Sequence, residues 1–184
     1  AVKDVAISIT RELIEKKINI IHHTLIQDFG FEKPKIAVLG INPHIGDNGV
    51  IGDEDDTVLK PTLDNIRNNG KTVFGPYAAD SFFGSGNYKN FDVVIAAYHD
   101  QGLIPFKTLA FGSGVNFTAG LNKIRTSPDH GTAYDIAGKN IANFESFKEA
   151  VFSAIKIFKK RKEYLEISSN PLKTNRKKAF VKKN

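Results

Sequence analysis

Apolar residues recur at Ile14, Ile18, Ile21, Leu25 and Phe29, spacings of four, three, four and four that line one face of a helix. Thr10 precedes the run as an N-cap and Gly30 follows as a stop. Residues 35–41 are almost wholly apolar after Pro34, the pattern of a strand buried on both faces in a parallel sheet. A Gly-rich loop over residues 42–52 follows. Residues 53–69 read as a second helix, with acidic residues near its positive end and Val58, Leu59, Leu63 and Ile66 facing inward. Gly70 terminates it, and Pro61 sits in its first turn or kinks it.

Residues 91–97 repeat the buried-strand pattern and run into Tyr98-His99-Asp100-Gln101-Gly102. A further short strand is predicted over residues 115–118, between glycines. The last helix starts near Asn143 and packs a face of Phe147, Ala150, Val151, Ala154, Ile155 and Phe158. Strands alternating with helices predict an α/β fold with a mostly parallel sheet, in which ligands bind beyond the carboxyl ends of the strands. His44 and His99 both follow predicted strands, so both are expected at one crevice. Residues 1–164 are expected to form the folded body, and residues 165–184 a basic, disordered tail.

Composition changes the picture in one respect. The chain has 184 residues, and its formal charge of +6 suggests a nucleic-acid partner. However, residues 159–184 carry ten Lys or Arg against two Glu, a net of +8, and the other 158 residues are net −2. The basicity belongs to the tail. The absence of cysteine excludes disulfides and thiolate ligands, so any metal must be held by nitrogen and oxygen. No apolar run approaches the roughly 20 residues of a membrane span and no leader pattern opens the chain, which predicts a cytoplasmic protein. The chain lacks methionine and opens in a segment patterned like the approach to a helix, so an absent N-terminal portion is expected.

The candidate chemistry is uneven. His22 and His23 lie mid-helix with no carboxylate at ligand spacing, and no role is assigned to them. His44 is presented by Asn42-Pro43-His44-Ile45-Gly46, where Pro43 stiffens the approach and the glycines permit the turn. His99 brings Asp100 and Gln101 to a strand terminus where polar residues have little packing purpose. Imidazoles with carboxylates suit a divalent metal such as Zn, Co, Mn or Mg, and the carboxylate could instead shuttle a proton. Asp80 is either a further oxygen near that site or a cap for the segment from Ser81. Lys107, Asn116 and Arg125, embedded among apolar residues and glycines, form a candidate anion pocket for an acidic small molecule. Residues 126–143, dense in Gly, Ser, Thr and Asn, make an ordered binding loop or a flexible one. Neither a Gly-x-Gly-x-x-Gly fingerprint nor a P-loop lysine motif is present.

These residues coincide with the motifs of a known family. Asn42-Pro43-His44, Gly46 and Gly49, Ala79-Asp80, Tyr98-His99-Asp100-Gln101-Gly102 with Lys107, Gly114-Val115-Asn116, Ile124-Arg125-Thr126-Ser127 and Asp129-His130-Gly131-Thr132-Ala133 resemble the 4-hydroxythreonine-4-phosphate dehydrogenases of pyridoxal phosphate biosynthesis. The similarity runs from about Ala1 to Phe158. It implies a three-layer α/β/α fold of the isocitrate and isopropylmalate dehydrogenase type and a homodimer with a shared active site. It also implies metal-dependent, NAD- or NADP-linked oxidation of 4-phosphooxy-threonine, followed by decarboxylation. The metal, Zn, Mg or Co, would be held by three histidines, two of which match His44 and His99. Lys107, Asn116 and Arg125 match the substrate-binding set, and Asp100 and Lys107 are the candidate proton carriers. Asp129, His130, Gly131, Thr132 and Ala133 look like the adenine-side loop of the dinucleotide site.

The family chain is nearly twice as long, so the resemblance covers its C-terminal half, and the third histidine would fall just before Ala1. Alone, this half is expected to be inactive. A sibling dehydrogenase acting on threonate or erythronate 4-phosphate is the nearest alternative. A nucleic-acid-binding module led by the tail is a distant one.

Overall fold

A computed structural model describes residues 1–110 and 112–172. After a short helix, α1 (Val5–Ser8), the chain enters α2 (Arg11–Phe29) at Thr10, whose hydroxyl accepts the Leu13 N–H at 3.3 Å. Gly30 ends α2 in the left-handed conformation, as its sequence position predicts. The central strand β1 (Ile36–Leu39) is buried along its whole length and pairs in parallel with β2 (Val73–Tyr77) on one side and β3 (Val93–Ile95) on the other. α3 (Lys60–Asn68) crosses from β1 to β2, preceded by a wide helical turn over Asp55–Leu59. Pro61 lies at the start of α3, where the wide turn runs straight into the helix.

Side chains of β1 alternate between two apolar clusters, as the two-residue period of a strand requires. Ile36 and Val38 join Ile14, Ile18 and Leu25 of α2 and Leu63 and Ile66 of α3. Ala37 and Leu39 face Phe82 of α4 (Ala79–Gly84) and an aromatic group that includes Tyr77, Phe83 and Phe91. Helices therefore cover both faces of a parallel sheet, the three-layer α/β arrangement expected.

The remainder is built differently. His99 begins a helix, α5 (His99–Ala110), rather than a strand terminus. β4 (Val115–Phe117) pairs antiparallel with β5 (Thr126–Pro128) in a separate two-stranded sheet. The long α6 (Glu145–Ser168) packs against this hairpin and along α2. It starts where Asn143 Oδ1 accepts the Glu145 N–H at 2.8 Å.

Of the expected packed face of α6 only part is covered: Ala150 is buried, but Phe147 is 61% and Phe158 62% exposed, and the other buried residues of the helix, Ser146 and Ile157, lie off the stripe. The buried line is rotated from the apolar stripe because the hairpin and α2 lie on that side. β2 was not expected at all. In addition, α6 runs through Ser168, past the expected body limit at residue 164. The disorder expected of the tail falls on residues 173–184, which lie outside the described ones.

Candidate functional site

The carboxyl ends of β1 and β3, adjacent and parallel, release the two loops that carry His44 and His99. At the β1 exit, the buried carboxylate of Asp55 accepts the Ile41 N–H at 2.8 Å and the Asn42 N–H at 2.9 Å, which fixes the start of the loop. The Asn42 side chain also donates to Asp55 and to Glu54. Glu54 is held below the usual carboxylate range by its own backbone N–H and by this Asn42 amide. His44, Ile45, Asp47 and Asn48 all have positive φ, a strained path for non-glycine residues and most of all for β-branched Ile45. Between them Gly46 is obligatory, because a Cβ there would lie 2.1 Å from the Gly52 carbonyl oxygen. The result presents the His44 imidazole to solvent on a tightly wound turn.

At the β3 exit, Gln101 bridges the two strands. Its Oε1 accepts the Ala97 N–H at 2.7 Å and its Nε2 donates to the Gly40 carbonyl at 2.8 Å, which ties the first turn of α5 to the end of β1. His99 and Asp100 are exposed at the start of α5, with His99 Nδ1 and Asp100 Oδ1 2.7 Å apart. Asp80 stands in the first turn of α4, whose N-cap is Ala78, so it does not cap that helix. It lines a cleft of about 500 Å³ together with Tyr98, Asp100 and Gln101.

Asn116 and Arg125 come together on the β4–β5 hairpin. Asn116 faces Ser127 across the pair, and Thr118 N–H donates to the Arg125 carbonyl. By strand alternation Asn116, Thr118 and Arg125 share one face, and Arg125 Nη1 donates to Thr118 Oγ1 at 2.8 Å. Lys107 is placed elsewhere. It lines a cavity of about 460 Å³ with Gly114, Asp129, His130, Gly131 and Ala133, so four of the five residues of the expected dinucleotide loop share a wall with it. Thr132 is exposed. Ser146 holds this region together, donating to the Gly114 carbonyl and accepting the Asp129 N–H, both at 3.1 Å.

A family model described as pyridoxal phosphate biosynthetic protein PdxA matches residues 1–154. The chain belongs to the PdxA family. The 4-hydroxythreonine-4-phosphate dehydrogenase of Bacteroides thetaiotaomicron is 51% identical over 172 residues, 94% of this chain and 47% of that protein. Its counterpart from a Sulfurihydrogenibium species is 50% identical over 160 residues, covering 87% and 49%. The crystal structure of the Klebsiella pneumoniae 4-hydroxythreonine-4-phosphate dehydrogenase superposes with a TM-score of 0.72 at 40% identity, covering 85% of this chain and 48% of that one. A terephthalate 1,2-cis-dihydrodiol dehydrogenase from Burkholderia xenovorans gives 0.64 at 29% identity, with 83% and 48% covered. The chain thus spans about half the length of the curated relatives it matches.

Within this PdxA chain, the sequence pattern gives no sign of what Asp55 and Ser146 do, and shows Gln101 only as a polar residue beside His99. Each acts by a hydrogen bond to backbone elsewhere in the fold. Among the described residues, no three His, Cys, Asp or Glu side chains gather closely enough to hold a metal by themselves. Among the same residues, no helix is long and apolar enough to cross a membrane.

Proposed function

We propose that this chain carries the metal, substrate and dinucleotide loops of a 4-hydroxythreonine-4-phosphate dehydrogenase, which oxidises 4-phosphooxy-threonine in pyridoxal phosphate biosynthesis. The observation that carries the reading is the placement of His44 and His99 beyond the carboxyl ends of adjacent parallel strands, tied together by Gln101. The donor chemistry fits a divalent Zn, Co or Mg ion. Donation from His99 Nδ1 to Asp100 leaves Nε2 bare for coordination, the usual role of a carboxylate behind a metal-binding imidazole. His44 and His99 would hold the metal, and further ligands would come from outside this set.

When bound, the metal supplies Lewis acidity at the substrate's alcohol oxygen and NAD or NADP supplies the hydride acceptor. The chain's residues bind and orient. Arg125, with Asn116 beside it, offers a guanidinium fork and an amide to the substrate phosphate. Lys107 faces the wall formed by Asp129, His130, Gly131 and Ala133, where it meets substrate and dinucleotide together. Asp100 is engaged with His99, which leaves Lys107 to carry the proton from the alcohol oxygen. The same reading makes the protein a cytoplasmic homodimer whose partner subunit completes the site.

Zinc titration against a chromophoric chelator tests the ligand assignment. His44→Ala and His99→Ala are each expected to weaken zinc binding by at least ~10-fold, and Asp100→Asn less. In the full-length protein, His99→Ala should abolish reduction of NAD or NADP by 4-phosphooxy-threonine. Near-normal turnover at saturating metal would remove His99 from the site.

A further inference from the structure

The hairpin that presents Asn116 and Arg125 is held from behind by contacts of several kinds. The Phe117 ring meets Phe29 of α2 edge to face at 5.6 Å. Thr126 Oγ1 donates to the Ala150 carbonyl of α6 at 2.9 Å. Gly120, at φ +79°, lies so close to α2 that a Cβ there would come within 2.9 Å of Ile20 Cγ2. The fourth contact is ionic. Arg161 of α6 forks onto Asp28 of α2, with Nε to Oδ1 at 2.8 Å and Nη2 to Oδ2 at 2.7 Å. Its remaining nitrogen, Nη1, donates to the carbonyls of Leu121 and Asn122 at 3.3 Å each.

The pair is enclosed: the Asp28 side chain is 3% exposed and that of Arg161 14%. A buried, bidentate pair with its spare donor used on backbone is a rigid connector rather than a solvated surface contact. What it connects is the turn between Asn116 and Arg125, gripped three and four residues before Arg125. Arg161 also lies outside residues 1–154, the part matched by the family model.

We propose that Arg161 is a positioning residue for anion binding: anchored on Asp28, it fixes the β4–β5 turn so that Arg125 stays set beside Asn116. The proposal rests on the reading of Asn116 and Arg125 as phosphate ligands. The Arg161 guanidinium is taken up by Asp28 and the turn carbonyls, so its role is indirect. A guanidinium is required, because only its planar fork can hold both carboxylate oxygens and still reach the two carbonyls; a lysine ammonium keeps the charge and loses that geometry.

The test is inorganic phosphate titration of the chain, followed by the amide signals of Asn116 and Arg125, well below the melting temperature. Arg161→Lys is expected to weaken phosphate binding about 3- to 10-fold and to speed amide exchange across residues 119–125, with helical circular dichroism retained. Asp28→Asn, which keeps the shape of the acceptor, is expected to do the same should Arg161→Lys fail to fold. Ile66→Val, a core change of similar effect on melting temperature, should leave phosphate affinity unchanged. Arg125→Ala serves as the direct control and should lose at least ~10-fold. Unchanged affinity in Arg161→Lys and Asp28→Asn beside a loss in Arg125→Ala would overturn the positioning role and leave the anion site standing. Unchanged affinity in Arg125→Ala would remove the anion site, and the role of Arg161 with it.

Discussion

Residues 5–97 and residues 99–168 are held together by different forces. The first region owns both apolar clusters, in which Ile36, Leu63 and Val73 are fully buried. Among its described apolar residues the second buries only Ala150 and Ile157, and it exposes Phe144, Phe147, Phe152 and Phe158. Besides the Phe117–Phe29 ring contact, it is fixed by polar bonds: the Arg161 fork, the Ser146 bridge and the Thr126 bond to α6. The candidate site straddles the boundary, with His44 on the first region and Lys107, Asn116 and Arg125 on the second. A ligand binding there would join a scaffold set by burial to one set by directional contacts, which tolerate less displacement.

The sharpest way to break this contrast is a pair of truncations. Leu63→Ala removes a fully buried side chain and is expected to cost about 2–5 kcal/mol. Phe147→Ala removes a larger side chain that is 61% exposed and should cost under about 0.5 kcal/mol. Urea unfolding measures both. Similar losses would mean that the α6 stripe is covered in solution and that the contrast is wrong.

The next effect concerns the site loop. Asp55→Ala leaves the Ile41 and Asn42 N–H groups without acceptors at the β1 exit, at a cost of about 2–3 kcal/mol. Because the left-handed run from His44 to Asn48 is strained, losing its anchor should release the loop before the sheet. Amide exchange should quicken over residues 41–52 and stay slow in β1 and β3. Uniform quickening would show that Asp55 supports the core rather than the His44 loop.

The same division governs what was legible in the sequence. α2 could be read because an apolar stripe, a cap and a stop residue agree, and α3 because a stripe and a stop residue do; in both, burial largely follows the stripe. The stripe on α6 was equally visible, yet periodicity reveals only that an apolar face exists, not which element covers it. β2 was hidden by Gly75-Pro76, tolerated because the strand lies at the sheet edge. α5 was hidden by Gly102 and Pro105, both poor helix formers. His44 and His99 stood out because polar residues after buried strands have no packing purpose.

Asp55 and Arg161 could not stand out, since their partners lie 13 to 133 residues away. Arg161 was even counted with the tail's charge, although its side chain is 14% exposed. Local pattern reports faces, whereas the polar contacts that set a site's geometry are made by the tertiary fold.

The smallest expected effect tests how far the two regions unfold separately. His22 sits half-buried on α2, the helix that packs against both. Burial lowers its pKa below the ordinary 6.5, and the nearby charges of Lys71 and His23 lower it further. The folded chain therefore takes up this proton less readily than the unfolded one. Its contribution to stability is present above pH 6.5 and is lost as pH falls through the depressed value. Lowering the pH from about 7.5 to about 5 should reduce the unfolding midpoint slightly, and His22→Gln should flatten that part of the profile. Amide exchange, corrected for its intrinsic pH dependence, shows where the loss falls. His22 lies beside the apolar clusters, so β1 protection should drop with pH in the wild type and not in His22→Gln. The outer turns of α6, held by other means, should change little in either. Parallel loss in β1 and α6 would mean that the Arg161 fork makes α2 and α6 one cooperative unit, and the contrast between the regions would then be one of packing alone.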